Sequence, residues 1–345
     1  MNNIIIRKET KEDYYNTEQI GRISEVERNT YTIRFFEKDI PGKIKGSFYE
    51  EDSEKLPVVG DYVTFKYNPI GDSVITSVCE RTSFLQRPDQ SKTGVMQYMV
   101  ANVDYSFIVT SLNDDYSYNR IARYVSVVLQ GGSVPVVILT KSDLCNNVGR
   151  YEREVESISD IVRVHAISAL YDIGIDELNE YLVPGKTICL LGSSGAGKST
   201  LINTLAGREI MQTGGIREED SKGRHTTTHR ELIELDGVSF IDTPGLRELG
   251  MIDAQEGINS TFSDIAELVS QCAFSDCTHR NEPGCAVREA LENGTLSAER
   301  WKTFSRLEKE NQWSKIRKNE KMMNIAMERR KRNMALQRYG RGTDK

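Results

Sequence analysis

The chain has 345 residues, a length that exceeds one compact core and predicts two or three domains, of which we expect three. With 38% hydrophobic and 28% charged residues, the composition excludes a disordered chain and an integral membrane protein, and the net charge of −6 taken alone argues against nucleic acid. The first residues, MNNIIIRKETKEDYYN, lack the apolar run of a secretory signal. No stretch approaches the roughly 20 apolar residues of a membrane span, so we expect a cytoplasmic protein.

Charge is unevenly distributed along the chain. Residues 301–345 hold 14 Lys and Arg against 5 Asp and Glu, so the C-terminal end is a basic tail on an acidic protein. Such a segment favours contact with a polyanion, whereas the alternative is a solvated helix or a frayed end.

Five short runs of alternating apolar and polar residues lie between residues 20 and 79: IGRISEVE, TYTIRFF, GKIKGSF, GDYVTFKY and SVITSV. Short strands separated by turn residues predict a small closed β-barrel, most commonly an OB-fold, within residues 1–95. Such barrels often bind RNA, and basic residues here stand beside aromatic ones. The candidates are Arg34, Lys43 and Lys45 with Tyr31, Phe35 and Phe48. Alternatively, the aromatic side chains fill the barrel, the interpretation that we favour for most of them.

From Tyr105 onward, buried strands alternate with helical stretches, a pattern that predicts a parallel, doubly wound α/β sheet within residues 96–250. The strand-like runs are YSFIVTSL, VPVVILT, VRVHAIS and KTICLLG. Ligands of such sheets bind at the carboxyl ends of the strands, where the motifs below all fall. Residues 251–345 are mostly helical in pattern, so we expect a third, mainly α-helical domain that carries a cysteine cluster and the basic tail.

A phosphate-binding loop follows the run TICLL. GSSGAGKS fits the pattern G-x-x-x-x-G-K-[ST], and the helical spacing of LINTLAG completes the strand, loop and helix that this motif requires. Backbone N–H groups of such a loop wrap the phosphates, its lysine reaches the β and γ oxygens, and its serine binds Mg²⁺. The predicted loop consists of Gly192, Ser193, Ser194, Gly195, Ala196, Gly197, Lys198, Ser199 and Thr200.

The run SFIDTPG supplies the second half of a nucleotide switch. Asp242, at the end of an apolar strand, is predicted to hold Mg²⁺ together with Ser199, and Gly245 to give its N–H to the γ-phosphate. The intervening run GRHTTTH contains Thr226 and Thr227, either of which suits the switch threonine that caps Mg²⁺ and the γ-phosphate.

The run TKSD, directly after VPVVIL, predicts a guanine nucleotide. Asp143 can accept two hydrogen bonds from guanine N1–H and the 2-amino group, whereas adenine would leave this carboxylate unpaired. Lys141 is expected to pack its stem over the base, and the backbone around Ser168 and Ala169 to donate to guanine O6. The predicted base site therefore consists of Thr140, Lys141, Ser142, Asp143, Ser168 and Ala169.

The base-reading run precedes the phosphate loop, the reverse of the order in an ordinary GTPase. Loops that project from neighbouring strands of one sheet need not follow any fixed order along the chain, so the reversal indicates a circular permutation. On this interpretation, Asp143 and Lys198 hold opposite ends of one GTP or GDP molecule.

Many GTPases place a glutamine directly after D-x-x-G to orient water, but this chain has Leu246 there. An apolar side chain cannot polarise water, so hydrolysis either awaits a partner or uses another residue. His225 is the nearest candidate and His229 the next, while a surface histidine without a catalytic role is the alternative. The predicted catalytic set is His225, Lys198, Thr226 and Thr227.

Three of the six cysteines cluster with a histidine: Cys272, Cys277, His279 and Cys285. Four soft ligands with no obvious vacancy suit one structural, tetrahedral Zn²⁺ better than a catalytic metal, and clustering in a reducing compartment favours metal over disulfides. Free, buried thiols are the alternative. The other cysteines stand alone in apolar settings and are expected to be packing residues: Cys79, Cys145 and Cys189.

The order TKSD, SAL, GSSGAGKST, GRHTTT, DTPG, together with the cluster CAFSDCTHRNEPGC, resembles the circularly permuted bacterial GTPases of the RsgA family, ribosome small subunit-dependent GTPase A. The resemblance covers nearly the whole chain. It implies a late role in assembling the small ribosomal subunit, GTP hydrolysis stimulated by that particle, and contact with its 16S rRNA through the barrel and the C-terminal domain. Thr140 stands where asparagine is commoner, a departure that leaves Lys141 and Asp143 intact. We expect a monomer.

Two rival functions fit parts of the chain. GSSGAGKST also occurs in ATP-driven transporter subunits, but those need the signature LSGGQ, which this chain lacks, and it has a guanine-reading motif instead. The second rival is an RNA-binding assembly factor that uses GTP only as an occupancy switch, and the absent glutamine gives it weight. We favour the GTP hydrolase, and we expect its hydrolysis of GTP to serve binding to its partner.

Overall fold

The N-terminal strands of the computed structural model form a closed barrel. The structure describes residues 18–27, 30–46, 56–88, 96–113, 115–211, 231–242 and 254–340. The barrel strands are β1 (Gln19–Glu27), β2 (Thr30–Phe35), β3 (Lys38–Ile44), β4 (Tyr62–Lys66) and β5 (Ser73–Val78). Their order is β1-β2-β3-β5-β4, and β1 also pairs with β4, which closes the barrel. The predicted five-stranded barrel is therefore confirmed.

Alternating side chains of these strands fill the barrel. The buried set is Ile23, Tyr31, Ile33, Ile44, Val63, Phe65 and Ile75. Phe35 packs edge-on against Phe65, with ring centroids 5.2 Å apart. Tyr31 and Phe35 thus serve the barrel core, the interpretation that the sequence favoured, while Phe48 lies outside the described residues.

The third strand begins earlier than the sequence predicts. The run GKIKGSF indicated a strand over residues 42–48, whereas β3 spans Lys38–Ile44. Phe36 adopts a left-handed φ of 54°, so a two-residue turn returns the chain at once and pairs the end of β2 with the start of β3. The sequence does not predict this turn, because the two turn residues, Phe36 and Glu37, are neither Gly nor Asn.

The central α/β sheet is doubly wound, as predicted. Its parallel strands are β8 (Tyr105–Ser111), β9 (Val134–Thr140), β10 (Arg163–Ala166), β11 (Thr187–Leu191) and β13 (Val238–Asp242), and β12 (Glu231–Leu235) is antiparallel to β13. Their order in space is β10-β9-β8-β11-β13-β12. One face is covered by α1 (Tyr118–Gln130) and α2 (Val148–Glu156), and the other by α3 (Lys198–Ala206).

A hairpin lies between the barrel and this sheet. It consists of β6 (Phe84–Pro88) and β7 (Met96–Ala101), whose side chains Leu85 and Met99 belong to the same core as α1. Barrel and sheet also join edge to edge, because β1 pairs with β12. Together they form one eleven-stranded sheet that closes into the barrel at one end.

A half-buried arginine of the barrel contacts the α/β sheet. The Arg22 guanidinium group, on β1, donates to Thr187 Oγ1 at 2.7 Å and to Ser239 Oγ at 3.1 Å. It also donates to the carbonyl oxygen of Gly60 at 3.3 Å. Burial lowers the pKa of Arg22, and these hydrogen bonds offset the cost of burying its charge.

The C-terminal region is helical, as predicted, and packs on α1. Its helices are α4 (Gln255–Thr261), α5 (Ser263–Ser270), α6 (Ala286–Glu292) and α7 (Ala298–Gly340). Between α1 and α4, the buried hydroxyls of Ser126 and Thr261 lie 2.9 Å apart, and the Gly257 N–H donates to Gln130 Oε1 at 3.0 Å. None of the helices in the described ranges is both long and apolar enough to cross a membrane.

Replacing Gly257 by Ala should destabilise the fold, because a Cβ there would lie 1.9 Å from the Ser126 carbonyl oxygen. Overpacking of this kind costs about 1–3 kcal/mol. The matched control is Gly149→Ala in α2, where a Cβ would meet only the far ends of the Arg153 and Glu152 side chains and alanine should be neutral or stabilising. The measurement is the midpoint of urea unfolding followed by circular dichroism. Equal midpoints for the two variants would contradict the close packing of α4 on α1.

Candidate nucleotide site and cysteine cluster

The predicted nucleotide-binding motifs meet at one edge of the sheet. Strands β9, β10, β11 and β13 run parallel, so their carboxyl ends share that edge. Thr140 ends β9 and Asp242 ends β13, while Ser168 and Gly192 follow β10 and β11. Motifs that appear in reversed order along the chain are therefore neighbours in space.

The phosphate loop turns sharply between β11 and α3. Gly192, Gly195 and Gly197 have positive φ angles of 147°, 78° and 100°. At Gly192 a Cβ would lie 2.2 Å from the Val109 carbonyl oxygen, so glycine alone fits there. Helix α3 begins at Lys198 directly after the loop, which places its N-terminal N–H groups and its positive dipole end at the loop.

The ammonium group of Lys198 lies across this loop. Its Nζ donates to the carbonyl oxygens of Gly192 and Ser193 at 2.9 and 2.8 Å. An ammonium held over such a loop is suited to phosphate oxygens. Ser199 and Thr200 follow it in the first turn of α3.

Two side chains of the base-reading run hold the phosphate loop from the end of β9. The buried Thr140 hydroxyl donates to the Ala196 carbonyl oxygen at 2.6 Å. Lys141 has a left-handed φ of 57°, and its Nζ donates to the Gly195 carbonyl oxygen at 3.0 Å. Threonine at position 140, where asparagine is commoner, therefore makes a side-chain hydrogen bond to the loop, a contact that the sequence did not predict.

The structure also brings Asp143 and Ser168 together. The Ser168 hydroxyl donates to Asp143 Oδ1 at 2.5 Å. Beside them, the Ser142 N–H donates to the Ile167 carbonyl oxygen at 3.1 Å, which joins the run after β9 to the run after β10. The carboxylate assigned to guanine thus contacts the SAL segment, which continues with Ala169.

Asp115 is a residue of this edge that the sequence analysis missed. Its carboxylate accepts a short hydrogen bond from the Ser193 hydroxyl of the phosphate loop and forms an ion pair with Arg120 at 3.0 Å. The signal in the sequence was the acidic pair DD soon after the buried run YSFIVTSL, at the carboxyl end of a strand where the other motifs also stand.

Part of the predicted machinery lies outside the described residues. This holds for His225, Thr226, Thr227 and Gly245. Asp242 is described: it is half-buried at the end of β13, and its register partner on β11 is Leu190. It therefore stands one strand away from the start of the phosphate loop.

The four predicted metal ligands converge on one point. The ligand atoms of Cys272, Cys277, His279 and Cys285 all lie within 4.8 Å of one another. His279 Nδ1 is 3.6 Å from Cys272 Sγ and 3.5 Å from Cys285 Sγ, and these two sulfurs are 4.0 Å apart. Tetrahedral bonds of about 2.3 Å to sulfur and about 2.0 Å to nitrogen give separations of about 3.6 Å for sulfur to nitrogen and about 3.8 Å for sulfur to sulfur. The donor set and its spacing therefore fit zinc.

The cluster is built at the N-terminus of α6. Cys285 caps this helix, since its Sγ accepts from the Arg288 N–H at 3.5 Å. Partial burial opposes ionisation of the Cys272 thiol, but the backbone N–H groups of Val287 and Ala286 outweigh it and lower the pKa of Cys272. The thiolate, which is the form that binds a metal, is thereby favoured at Cys272, whereas burial raises the pKa of Cys277 to about 11.

Contacts outside the four ligands order the cluster's loop. The His279 ring packs edge-on against Trp301 of α7, with centroids 5.4 Å apart. The Glu282 carboxylate accepts from the backbone N–H groups of Thr278 and Arg280 at 3.0 and 2.9 Å. The Thr278 hydroxyl, and then the backbone N–H groups of Glu282 itself, Thr278 and Arg280, hold the pKa of Glu282 well below its ordinary range.

The basic face predicted for the barrel is partly neutralised. Arg34 Nε is 2.6 Å from Asp39 Oδ1, and its Nη1 is 2.8 Å from Glu234 Oε2. Lys43 and Lys45 are exposed on and beside β3. The two lysines, rather than Arg34, are therefore the residues of this set best suited to phosphate contacts.

Comparisons with known proteins agree with this geometry. The model of the RsgA GTPase family matches residues 78–252. A relative from Listeria monocytogenes, small ribosomal subunit biogenesis GTPase RsgA 1, is 43% identical over 296 residues, which are 85% of this chain and 84% of the relative. Small ribosomal subunit biogenesis GTPase RsgA 2 from Vibrio vulnificus is 41% identical over 308 residues, with coverage of 88% and 84%.

Solved structures share the fold. YjeQ from Thermotoga maritima superposes with a TM-score of 0.63 at 29% identity, covering 84% of this chain and 97% of that one. YloQ, described as a circularly permuted GTPase, gives a TM-score of 0.59 at 24% identity, covering 85% and 94%. The permutation inferred from motif order is thus confirmed at the level of the fold. The ABC transporter family model also matches residues 175–335, a range that includes the phosphate loop.

Replacing Thr140 by Val should destabilise the fold and loosen the phosphate loop. Valine keeps the shape of the side chain but removes the hydroxyl that lies 2.6 Å from the Ala196 carbonyl oxygen. Loss of such a buried partner costs about 1–3 kcal/mol. Thr140→Ser, which keeps the hydroxyl, is the control, and thermal unfolding is the measurement. If the two variants unfolded at the same temperature, the hydrogen bond would contribute nothing.

Proposed function

The chain belongs to the RsgA family of GTPases, and on that premise we propose that its hydrolysis of GTP assists the late maturation of the small ribosomal subunit. The names of its relatives, small ribosomal subunit biogenesis GTPases, support this role. One observation carries the proposal: Thr140 and Lys141 fasten the guanine-reading run to the phosphate loop at 2.6 and 3.0 Å. One nucleotide is then held at its base and its phosphates by a single edge of the sheet.

At the phosphate end, we propose that residues 192–200 wrap the triphosphate with their backbone N–H groups. Lys198 would exchange its two carbonyl partners for the β and γ oxygens, where its charge offsets the negative charge of the transition state. Ser199 and Asp242 would hold Mg²⁺, which neutralises charge between the β- and γ-phosphates when bound. Either Thr226 or Thr227 would be the switch threonine that caps Mg²⁺ and the γ-phosphate.

At the base end, we propose that Asp143 accepts hydrogen bonds from guanine N1–H and the 2-amino group. The Ser168 hydroxyl, 2.5 Å from Asp143 Oδ1, supports this by fixing the orientation of the carboxylate. The Lys141 stem packs over the base while its Nζ stays on the loop, and the backbone at Ser168 and Ala169 faces guanine O6. Adenine would leave the Asp143 carboxylate without these donors.

For the chemical step, we propose that water attacks the γ-phosphorus as the bond to the β-phosphate oxygen breaks, releasing GDP and phosphate. Leu246 stands where a glutamine would orient this water, so another group must do so. We assign the role to His225, which the bound subunit would place beside this water. Slow turnover of the chain alone follows from this assignment.

We propose that the cysteine cluster holds one structural Zn²⁺. The separations of 3.5 to 4.0 Å among Cys272, His279 and Cys285 support it, and Cys277 completes the set. Four protein ligands leave no open position, so the metal would have no catalytic role. It would instead join the end of α5 to the start of α6, beside α7.

We propose that the protein acts as a cytoplasmic monomer that contacts 16S rRNA through the barrel of residues 1–95 and the helical domain of residues 251–345, on either side of the GTPase domain of residues 96–250. The exposed Lys43 and Lys45 and the basic residues 301–345 support this, because phosphate contacts come chiefly from Lys and Arg. Such binding should weaken with added salt.

The test is the rate of GTP hydrolysis with and without purified small ribosomal subunits. We expect strong stimulation by subunits and no comparable hydrolysis of ATP. His225→Ala should lower the stimulated kcat by about 100-fold or more while sparing GTP affinity, since a positioned acid or base contributes about 10² to 10⁴. Loss in His229→Ala instead would transfer the role to that residue. An unstimulated rate with intact subunit binding would support the occupancy switch in place of the subunit-dependent enzyme.

Zinc content provides a separate test. Cys272→Ser should abolish stoichiometric zinc and lower the thermal stability, because three remaining ligands hold zinc less tightly and structural zinc contributes folding free energy. Cys145→Ser, which alters a half-buried cysteine outside the cluster, is the matched control and should keep its metal. Metal content is measured by atomic emission on the purified chains. Equal zinc in both variants, or none in the unmodified chain, would refute the assignment.

A further inference from the structure

We propose that Asp115 and Arg120 form a positioning pair that sets the shape of the phosphate loop and fastens it to α1. The pair acts through Ser193 and does not touch the nucleotide. This inference rests on the proposed function, since it takes the loop of residues 192–200 as the phosphate site. It adds a third attachment to those made by Thr140 and Lys141.

The geometry of Asp115 is fixed on several sides. Its Oδ2 accepts from the Ser193 hydroxyl, and its Oδ1 lies 3.0 Å from Arg120 Nη2. The same Nη2 donates to the Asp115 backbone carbonyl oxygen. The Asp115 N–H donates to Asn113 Oδ1 at 3.1 Å, and the Ser111 hydroxyl donates to that oxygen at 2.8 Å. These contacts position the carboxylate just beyond the end of β8.

Ser193 connects the Asp115 carboxylate to the proposed phosphate site. Its hydroxyl is held by Asp115, while its carbonyl oxygen accepts from Lys198 Nζ at 2.8 Å. One residue thus joins the Asp115 anchor to the lysine assigned to the phosphates. Because β8 and β11 are adjacent parallel strands, the anchor lies on the same sheet edge as the loop.

Arg120 is needed in this arrangement because it neutralises the charge of the Asp115 carboxylate. An unpaired carboxylate beside the phosphate loop would repel the nucleotide, and would repel GTP more than GDP because GTP carries more negative charge. The ion pair with Arg120 removes that repulsion while leaving an oxygen for Ser193. Arg120 also stands on α1, so the ion pair ties the loop to this helix.

The experiment measures the dissociation constants of GDP and of a non-hydrolysable GTP analogue, and kcat, in the full-length chain. Asp115→Ala and Ser193→Ala should each weaken binding of both nucleotides about tenfold, with the double variant no worse than either alone. Asp115→Asn, which keeps an acceptor for the Ser193 hydroxyl, should recover most of this loss.

Arg120→Ala should weaken the GTP analogue more than GDP. Added salt should reduce that difference, and so should a second change, Asp115→Asn. The matched control is Arg123→Ala on the same helix: the Arg123–Glu310 ion pair has the same side-chain exposures, 29% and 31%, as Arg120–Asp115, but it faces α7. Arg123→Ala should alter stability without altering the ratio of GTP to GDP affinity.

The outcomes separate the inference from the proposed function. Unchanged nucleotide affinity in Asp115→Ala and Ser193→Ala, with binding lost in Lys198→Ala, would overturn the positioning role and leave the phosphate site standing. An equal shift of the affinity ratio in Arg123→Ala would also overturn it, since the effect would then reflect general destabilisation. Binding retained in Lys198→Ala would refute the phosphate site itself.

Discussion

The Thr140 hydroxyl and the Lys141 ammonium group each donate to a carbonyl oxygen of the phosphate loop, at 2.6 and 3.0 Å, and these two hydrogen bonds join the two halves of the proposed nucleotide site. They can form because parallel strands of one sheet end at a common edge, a few strand spacings of about 4.8 Å apart. Position along the chain is immaterial to that edge. A permuted sequence can therefore build the same site as an unpermuted one, provided that the order of strands in the sheet is kept.

Helix α1 is the element that the nucleotide edge shares with the C-terminal helices. Near its start, Arg120 pairs with Asp115 beside the phosphate loop, and one turn later Arg123 pairs with Glu310 of α7 at 2.6 Å. Further along, Ser126 meets α4, which leaves no room for a side chain at Gly257. The phosphate loop and the helices around the cysteine cluster thus both contact α1. A displacement of α1 at one of these contacts would therefore be passed through the packed helix to the other.

The sequence predicted those parts whose chemistry requires a strict spacing. The phosphate loop needs glycines at fixed positions and a following Lys198, and four soft ligands in one short segment predict a candidate metal site, so the sequence alone indicated both. The contact of Asp115 was not indicated, because a carboxylate becomes a partner of Ser193 only when β8 and β11 lie side by side. The early start of β3 was missed for a local reason, a left-handed Phe36 that no turn residue announces. The acidic pair after β8 places a carboxylate at the edge of the sheet, but the sequence does not identify Ser193 as its partner, because that contact depends on the packing of distant segments.

Arg22 determines how the barrel is attached to the α/β sheet. Its guanidinium group donates hydrogen bonds to Thr187, the first residue of β11, and to Ser239 of β13. β11 reaches the phosphate loop five residues, or about 16 Å, beyond Thr187, and β13 reaches Asp242 three residues, or about 10 Å, beyond Ser239. The barrel is therefore attached directly to the α/β sheet and is not connected to it by a linker alone. A force applied to the barrel would therefore be transmitted along β11 and β13 to the edge of the sheet where the phosphate loop and Asp242 lie.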